Sequence, residues 1–313
     1  MAERFAWLTF LNSDDYYIYM LLNLYYDLQK VQTKYPLYCG VTKAVSAETR
    51  ERLKTVGIKL LEMDETIISK DLKASVKINN SKQDLAHYYK ALVKLVLFKD
   101  SYAKFFDKVV YLDTDIQILS NIDDLFNFPH MSAVEDQAPF RSPTKIPYTI
   151  GSSKFCSGLI VWDYKNNPGL GKKILDSLNT LDLKLFWHDQ AILNYYFKDW
   201  QYKTELHIPP EYCMMNLTGN FEQIWHPKAI HHTGRIKDFW PFNDKIFLVS
   251  VRWSYYKNIK EYLEAINNTI IFYNNKYNFN FPLLHLENIT IKPLSNLKIT
   301  NGGTLIYNNK TYL

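Results

Sequence analysis

Strand-like and helix-like segments alternate through the first 115 residues of this 313-residue chain, and that alternation limits the fold more than any other feature. FAWLTFL, from Phe5 to Leu11, is an apolar run of strand length closed by the turn residues Asn12, Ser13 and Asp14. Met20, Leu21, Leu24, Leu28 and Val31 then recur at helical spacing. LYCGVT reads as a second strand after Pro36. Ser46 and Glu48 can open the next helix, by capping its first N–H groups and by matching its dipole, and Gly57 can close it before the strand IKLL. A helix expected near Asp84 to Phe98 leads into VVYLDTD. This order implies an α/β fold, a parallel sheet wound by helices.

In such a sheet, ligands bind beyond the carboxyl ends of the strands, where the strand order reverses. Asp113 and Asp115 stand at the carboxyl end of VVYL, and their i, i+2 spacing puts both carboxylates on one side of extended chain. Two carboxylates ending a buried strand cost several kcal/mol, roughly, unless a cation, a basic partner or an open cleft meets them. A pair of exposed loop aspartates, or an N-cap for the following NIDDLF turn, is the alternative reading of the same spacing.

Three later segments are ordered: FCSGLIVWD (155 to 163), read as a small-residue turn feeding an apolar strand; WHDQAILNYYF (187 to 197), a helix opening on polar groups; and AIHHTGRIK (229 to 237). The last sets His231 and His232 beside Gly234 and two basic residues, which suits an anion such as a diphosphate. A histidine in such a run is otherwise a satisfied structural imidazole. Together with the two carboxylates, the set describes a divalent-metal diphosphate site.

Composition narrows the partners. The net charge of +5 is spread along the chain without a basic block, which argues against nucleic acid. Cys39, Cys156 and Cys213 are odd in number and lack CxxC spacing, so a reducing compartment is the simplest setting. The start has too short an apolar run for a signal peptide, and no stretch of apolar residues is long enough to span a bilayer. The expectation is a soluble, cytoplasmic protein without a membrane partner, for which the sequons at Asn216, Asn267, Asn288 and Asn309 are chance matches. Residues 246 to 313 read as an extension of unknown role, with a helix in LEAINNTIIFYNNKY and a β-hairpin in ITNGGTLIYNN turning at Asn301-Gly302.

At these motifs the sequence resembles the retaining glycosyltransferases of glycogenin and galactinol synthase, glycosyltransferase family 8, over about residues 5 to 245. VVYLDTDIQILSNIDDLF resembles the family's Asp-x-Asp segment, FCSGLIVWD its Phe-Asn-Ser/Ala-Gly strand, DQAILN its Asp-Gln-x-x-Leu-Asn helix, and IHHTGRIK its His-x-x-Gly-x-x-Lys segment. The resemblance implies a single nucleotide-sugar-binding domain of GT-A type, Rossmann-like, with a mixed, mostly parallel central sheet, over residues 1 to 245. It implies Asp113, Asp115 and His231 as ligands of manganese, with magnesium as the second choice; carboxylate and imidazole donors together also suit manganese better than calcium.

By the same resemblance, Leu8, Thr9, Asn12 and Tyr16 hold uracil and ribose, with Tyr16 stacking on the base. Lys94, Thr114, Ser157 and Gly158 belong to the donor site, and Gly234 and Lys237 hold the diphosphate. Asp189 and Gln190 contact the transferred hexose, Lys237 assists the leaving group, and the attack at C1 is either front-face without a covalent intermediate or through Asp189, the nearest candidate nucleophile. Lys94 reads equally well as a solvated helix lysine. The chain departs from the family at Cys156, where an asparagine is usual, and at Lys237-Asp238-Phe239-Trp240-Pro241, which rebuilds the closing loop.

The implied activity is metal-dependent hexosyl transfer with retention, with UDP-glucose the first donor and UDP-galactose the second. Glycogenin-like self-glucosylation on a tyrosine, donor hydrolysis, transfer of galactose to a small polyol as in galactinol synthase, and transfer to a protein glycan are the acceptor routes left open, as is a homodimer. A nucleotidyltransferase would want a glycine-rich phosphate loop after the first strand, and TFLNSDDYY has no glycine. A sugar-binding module without turnover is the third class.

Overall fold

The computed structural model describes residues 3–64, 91–136, 155–178, 180–181, 189–215, 226–232, 247–249, 253–284, 286, 289–291, 297–299, 305–307 and 310–312. Its strands are β1 (Phe5–Leu11), β2 (Leu37–Val41), β3 (Lys59–Glu62), β4 (Lys108–Leu112), β5 (Ile116–Ile118), β6 (Ala133–Glu135), β7 (Phe155–Asp163), β8 (His207–Ile208), β9 (Met214–Met215) and β10 (Ala229–His231), then the short strands β11 (Phe247–Val249), β12 (Ile289–Ile291), β13 (Leu297–Ile299), β14 (Leu305–Tyr307) and β15 (Lys310–Tyr312). The helices are α1 (Tyr17–Lys30), α2 (Ala47–Val56), α3 (Leu170–Ser177), α4 (Asp189–Tyr196) and α5 (Trp253–Tyr277).

The central sheet has seven strands in the order β3-β2-β1-β4-β7-β6-β8. Pairs β3–β2, β2–β1, β1–β4 and β6–β8 are parallel, while β7 runs antiparallel to both β4 and β6. The sheet is therefore mixed and mostly parallel. From β1 the chain winds outward through β2 and β3, then returns to place β4 on the other side of β1. That reversal is the topological switch point, and Asp113 follows β4 directly at its carboxyl end.

Alternation along β1 sends Trp7 and Leu11 to one face and Ala6 and Leu8 to the other, and each face has its own buried layer. One layer joins α1 and α5; the other joins residues 92–98, α3 and α4. The local signals act as the sequence requires: the Ser46 hydroxyl accepts the Thr49 N–H, and Gly57 closes α2 at φ 107°, a left-handed turn that a side chain would strain.

The helix expected up to Phe98 tightens into a 3-10 helix over Lys94–Phe98, and residues 84–90 lie outside the described set. All five residues of this segment are buried. Gly171 lets α3 approach it, since a Cβ there would meet the Phe98 carbonyl oxygen at 1.8 Å. FCSGLIVWD is strand throughout rather than a turn followed by a strand, because each small residue packs inside β7. Beyond residue 245, β13 and β14 pair antiparallel as expected, with Leu297 opposite Tyr307; the turn at Asn301-Gly302 lies outside the described residues, and β15 adds a third strand. The helix starts earlier than expected, at Trp253, and its Tyr262, Leu263, Ile266 and Ile270 are fully buried in the layer that holds α1.

A buried polar chain crosses the α1 layer. Thr269 Oγ1 of α5 donates to Asn23 Oδ1 (2.9 Å), Asn23 Nδ2 donates to Asp27 Oδ2 (3.0 Å), and the Ile118 N–H of β5 donates to the same oxygen (3.2 Å). Burial pushes the Asp27 carboxyl up to about 7, although the Ile118 N–H, Lys30 and Asn23 favour its ionised form. A folded value above the unfolded one means that its contribution is present at low pH and is lost as pH rises through about 7. Asp27→Asn removes that loss, so in urea titrations the variant should gain on the order of 2 kcal/mol relative to wild type between about pH 5 and about pH 8.

Candidate active site

The site is assembled where β4, β7, β10 and α4 meet. Asp113 continues β4, and its N–H donates to the Gly158 carbonyl of β7 (2.8 Å). Asp115 precedes β5, which pairs antiparallel with β10 so that His231 lies opposite Ile116. His231 Nε2 comes within 3.2 Å of Asp115 Oδ1 and 3.7 Å of Asp113 Oδ2. Ligand atoms of Asp113, Asp115 and His231 all lie within 4.8 Å of one another. Successive strand residues face opposite ways, so His232 points from the site to Gln117 and Tyr262.

Lys94 is buried, not solvated. Its Nζ lies 3.0 Å from Asp113 Oδ1, 2.9 Å from Asp189 Oδ2 and 3.0 Å from the Ser157 carbonyl oxygen, with the Tyr111 ring at 4.5 Å. Burial disfavours its charge, but Asp113 and Asp189 outweigh burial and hold the ammonium above its ordinary range. The Tyr111 hydroxyl donates to Asp113 Oδ1 at 2.6 Å. This partner was not singled out from the sequence, although it stands two residues before Asp113 on the same strand and so on the same face.

Gln190 is engaged at both ends of its amide. Its oxygen accepts the Ser157 N–H (3.0 Å) and its nitrogen donates to Asp136 (3.0 Å), so it sets the β7 backbone. Cys156 Sγ lies 3.5 Å from His231 Nδ1 and accepts the Gly158 N–H at 3.4 Å. A hydrogen bond with Cys213 lowers the Cys156 thiol to about 6, against burial and with help from His231. Burial opposes charge on both Asp115 and His231, yet their mutual attraction keeps Asp115 low and His231 high.

The remaining expected residues divide. Leu8 is buried inside the sheet layer, so only its backbone is open to a ligand. Thr9 is also buried, and its Oγ1 has no hydrogen-bond partner among the described residues. Asn12 follows β1 half-buried, Tyr16 directly precedes α1 with its ring 4.2 Å from that of Tyr17, and Thr114 is buried between the two aspartates. Gly234 and Lys237 lie outside the described residues, as does the rebuilt loop from Asp238 to Pro241.

The arrangement fits a divalent cation. Two carboxylates and an imidazole nitrogen converge on one point, in a donor set that suits a first-row divalent ion. The neighbouring strand is thinned to let them do so: a Cβ on Gly158 would meet His231 Cε1 at 2.4 Å and Asp113 Oδ2 at 3.1 Å.

The family model described as glycosyl transferase family 8 matches residues 8–244. The chain belongs to that family. Among curated proteins it is 29% identical over 251 residues to galactinol synthase 3 of Arabidopsis thaliana, covering 73% of this chain and 69% of the relative. It is 28% identical over 262 residues to galactinol synthase 1 of Solanum lycopersicum, covering 77% and 75%. Among solved structures, the galactosyltransferase LgtC in complex with donor and acceptor sugar analogs superposes at a TM-score of 0.55 and 14% identity, over 83% of this chain and 95% of that one. The fold is that of a GT-A glycosyltransferase, and the protein is a glycosyltransferase. Among the described residues, no helix is long and apolar enough to cross a membrane.

Buried Lys94 compensates the buried Asp189 and the half-buried Asp113, so Lys94→Met should cost roughly 3 kcal/mol of stability in denaturant unfolding, the usual cost of stranding a buried charge. An unchanged midpoint would show that solvent compensates the two carboxylates instead.

Proposed function

We propose that this protein transfers a hexose from a UDP-hexose to an acceptor hydroxyl with retention of configuration, with a divalent cation held by Asp113, Asp115 and His231. The convergence of those three ligand atoms at the switch point of a family 8 fold carries the reading. A cation in that position supplies Lewis-acid neutralisation of the diphosphate leaving group.

The side chains then divide the work. Thr9, whose hydroxyl has no partner among the described residues, binds the nucleoside with Asn12 and Tyr16 of the segment between β1 and α1. Gly234 and Lys237 grip the diphosphate. Asp189 is tied to Lys94 at 2.9 Å, which suits it to accept hydroxyl hydrogens of the hexose and makes it a poor nucleophile for C1. Attack by the acceptor hydroxyl on the face the diphosphate leaves follows: the C1–oxygen bond to the acceptor forms as that to the diphosphate breaks, and the acceptor proton passes to the departing oxygen. Gln190 holds Ser157 in place, and Cys156, where the family usually has asparagine, gives the sugar no amide.

The relatives' names favour galactose and a small polyol acceptor over glucose and self-glucosylation. UDP release should therefore be measured with UDP-galactose and UDP-glucose, each with Mn2+ and a panel of polyols, with intact-protein mass recorded after each incubation. The expected result is Mn2+-dependent release that is faster with UDP-galactose and polyol and adds no mass to the protein. Hexose mass on the chain would establish self-glycosylation instead, and release that survives chelation would sink the metal-dependent reading. Gly158→Ala should lower turnover by about tenfold or more, because its Cβ displaces His231.

A further inference from the structure

Beyond residue 245, α5 reaches the back of the metal site. We propose that α5 is a positioning element for that site, acting through the Tyr262 ring, which fixes His232 and thereby places His231 and Asp115. The inference rests on the assignment of those two residues, with Asp113, to a divalent cation.

β10 has only three residues and lies between the two-residue strand β9 and β5, the strand that Asp115 precedes and that pairs with His231. A ladder this short is poorly held by its own hydrogen bonds. His232, the residue after β10, adds constraint from three directions. Its N–H donates to the Asp115 carbonyl oxygen at 2.9 Å, which joins the backbones of the two ligand-bearing segments. Its Nε2 lies 3.1 Å from Gln117 Oε1, and since the amide oxygen can only accept, Nε2 carries the hydrogen. Its ring lies flat against Tyr262, with centroids 3.9 Å apart and planes 5° from parallel. Both residues are fully buried.

Two further observations separate this contact from ordinary core packing. The Tyr262 hydroxyl is buried with no hydrogen-bond partner among the described residues, so what the site uses of this residue is its ring face. And a second route runs from α5 to β5 through α1: Thr269 donates to Asn23, Asn23 donates to Asp27, and Asp27 accepts the Ile118 N–H. The strand that follows Asp115 is thus reached from α5 by two routes, one through His232 to Gln117 and one through Asn23 and Asp27 of α1 to Ile118. Ligand distances must stay within about 0.2 Å of ideal for a metal site to form, so slack in the β5–β10 pair falls directly on affinity.

Mn2+ titration of the full-length protein, followed by the EPR signal of the free ion, tests this at a temperature where near-UV circular dichroism shows each variant folded. Wild type and Tyr262→Phe should bind alike, while Tyr262→Leu should bind at least about tenfold more weakly, the usual loss when support behind a ligand is removed. Thr269→Val should weaken binding in the same direction, and it carries the test if Tyr262→Leu does not fold. Equal affinity of Tyr262→Leu, or of Thr269→Val in its place, and wild type would overturn the proposal and leave α5 as core packing. Equal weakening in Tyr262→Phe and Tyr262→Leu would overturn it too, by assigning the effect to the hydroxyl. Wild type that binds no Mn2+ would overturn the metal assignment itself, an outcome distinct from the first two.

Discussion

Two carboxylates at the end of a buried central strand are the constraint around which the rest of the molecule is arranged. Asp113 and Asp115 sit at the switch point of the sheet, where charge without compensation would oppose folding. The surroundings supply compensation on every side: the Lys94 ammonium and the Tyr111 hydroxyl on Asp113, and the His231 imidazole on Asp115. These partners come from residue 94, from β4 itself and from β10, so the site can form only when the long-range topology has formed. Stability and chemistry draw on the same contacts.

Much of the architecture was legible because it is written locally. The bounds expected for β1 match those observed, since an apolar run there ends abruptly in Asn12-Ser13-Asp14. Ser46 and Gly57 mark α2 by side-chain capping and by the backbone freedom of glycine, both read from single residues. The choice of His231 over His232 came from family spacing, and strand alternation gives it a physical basis: one histidine faces the aspartates and its neighbour faces the helix behind.

What the sequence withheld depends on residues far apart in the chain. Nothing in ALVKLVL distinguishes a solvated lysine from one buried between Asp113 and Asp189; the answer lies in how tightly α3 packs on the 3-10 segment and where α4 begins. Cys156-Ser157-Gly158 suggested a turn because small polar residues favour turns, whereas here they are small so that a strand can pass beside His231. The contact of Tyr262 with His232 had no local signal at all. It makes α5 continuous with the part of the fold that carries Asp113, Asp115 and His231, although α5 follows the residues matched by the family model.

In the proposed site, Asp113, Asp115 and His231 share one divalent ion beside a UDP-sugar. A crystal structure of the protein grown with Mn2+ and UDP, with anomalous scattering recorded at the manganese edge, tests it most directly. One anomalous peak per chain is expected, within bonding distance of all three side chains and of the diphosphate oxygens. A peak elsewhere, or UDP bound with no ion between these residues, would contradict it.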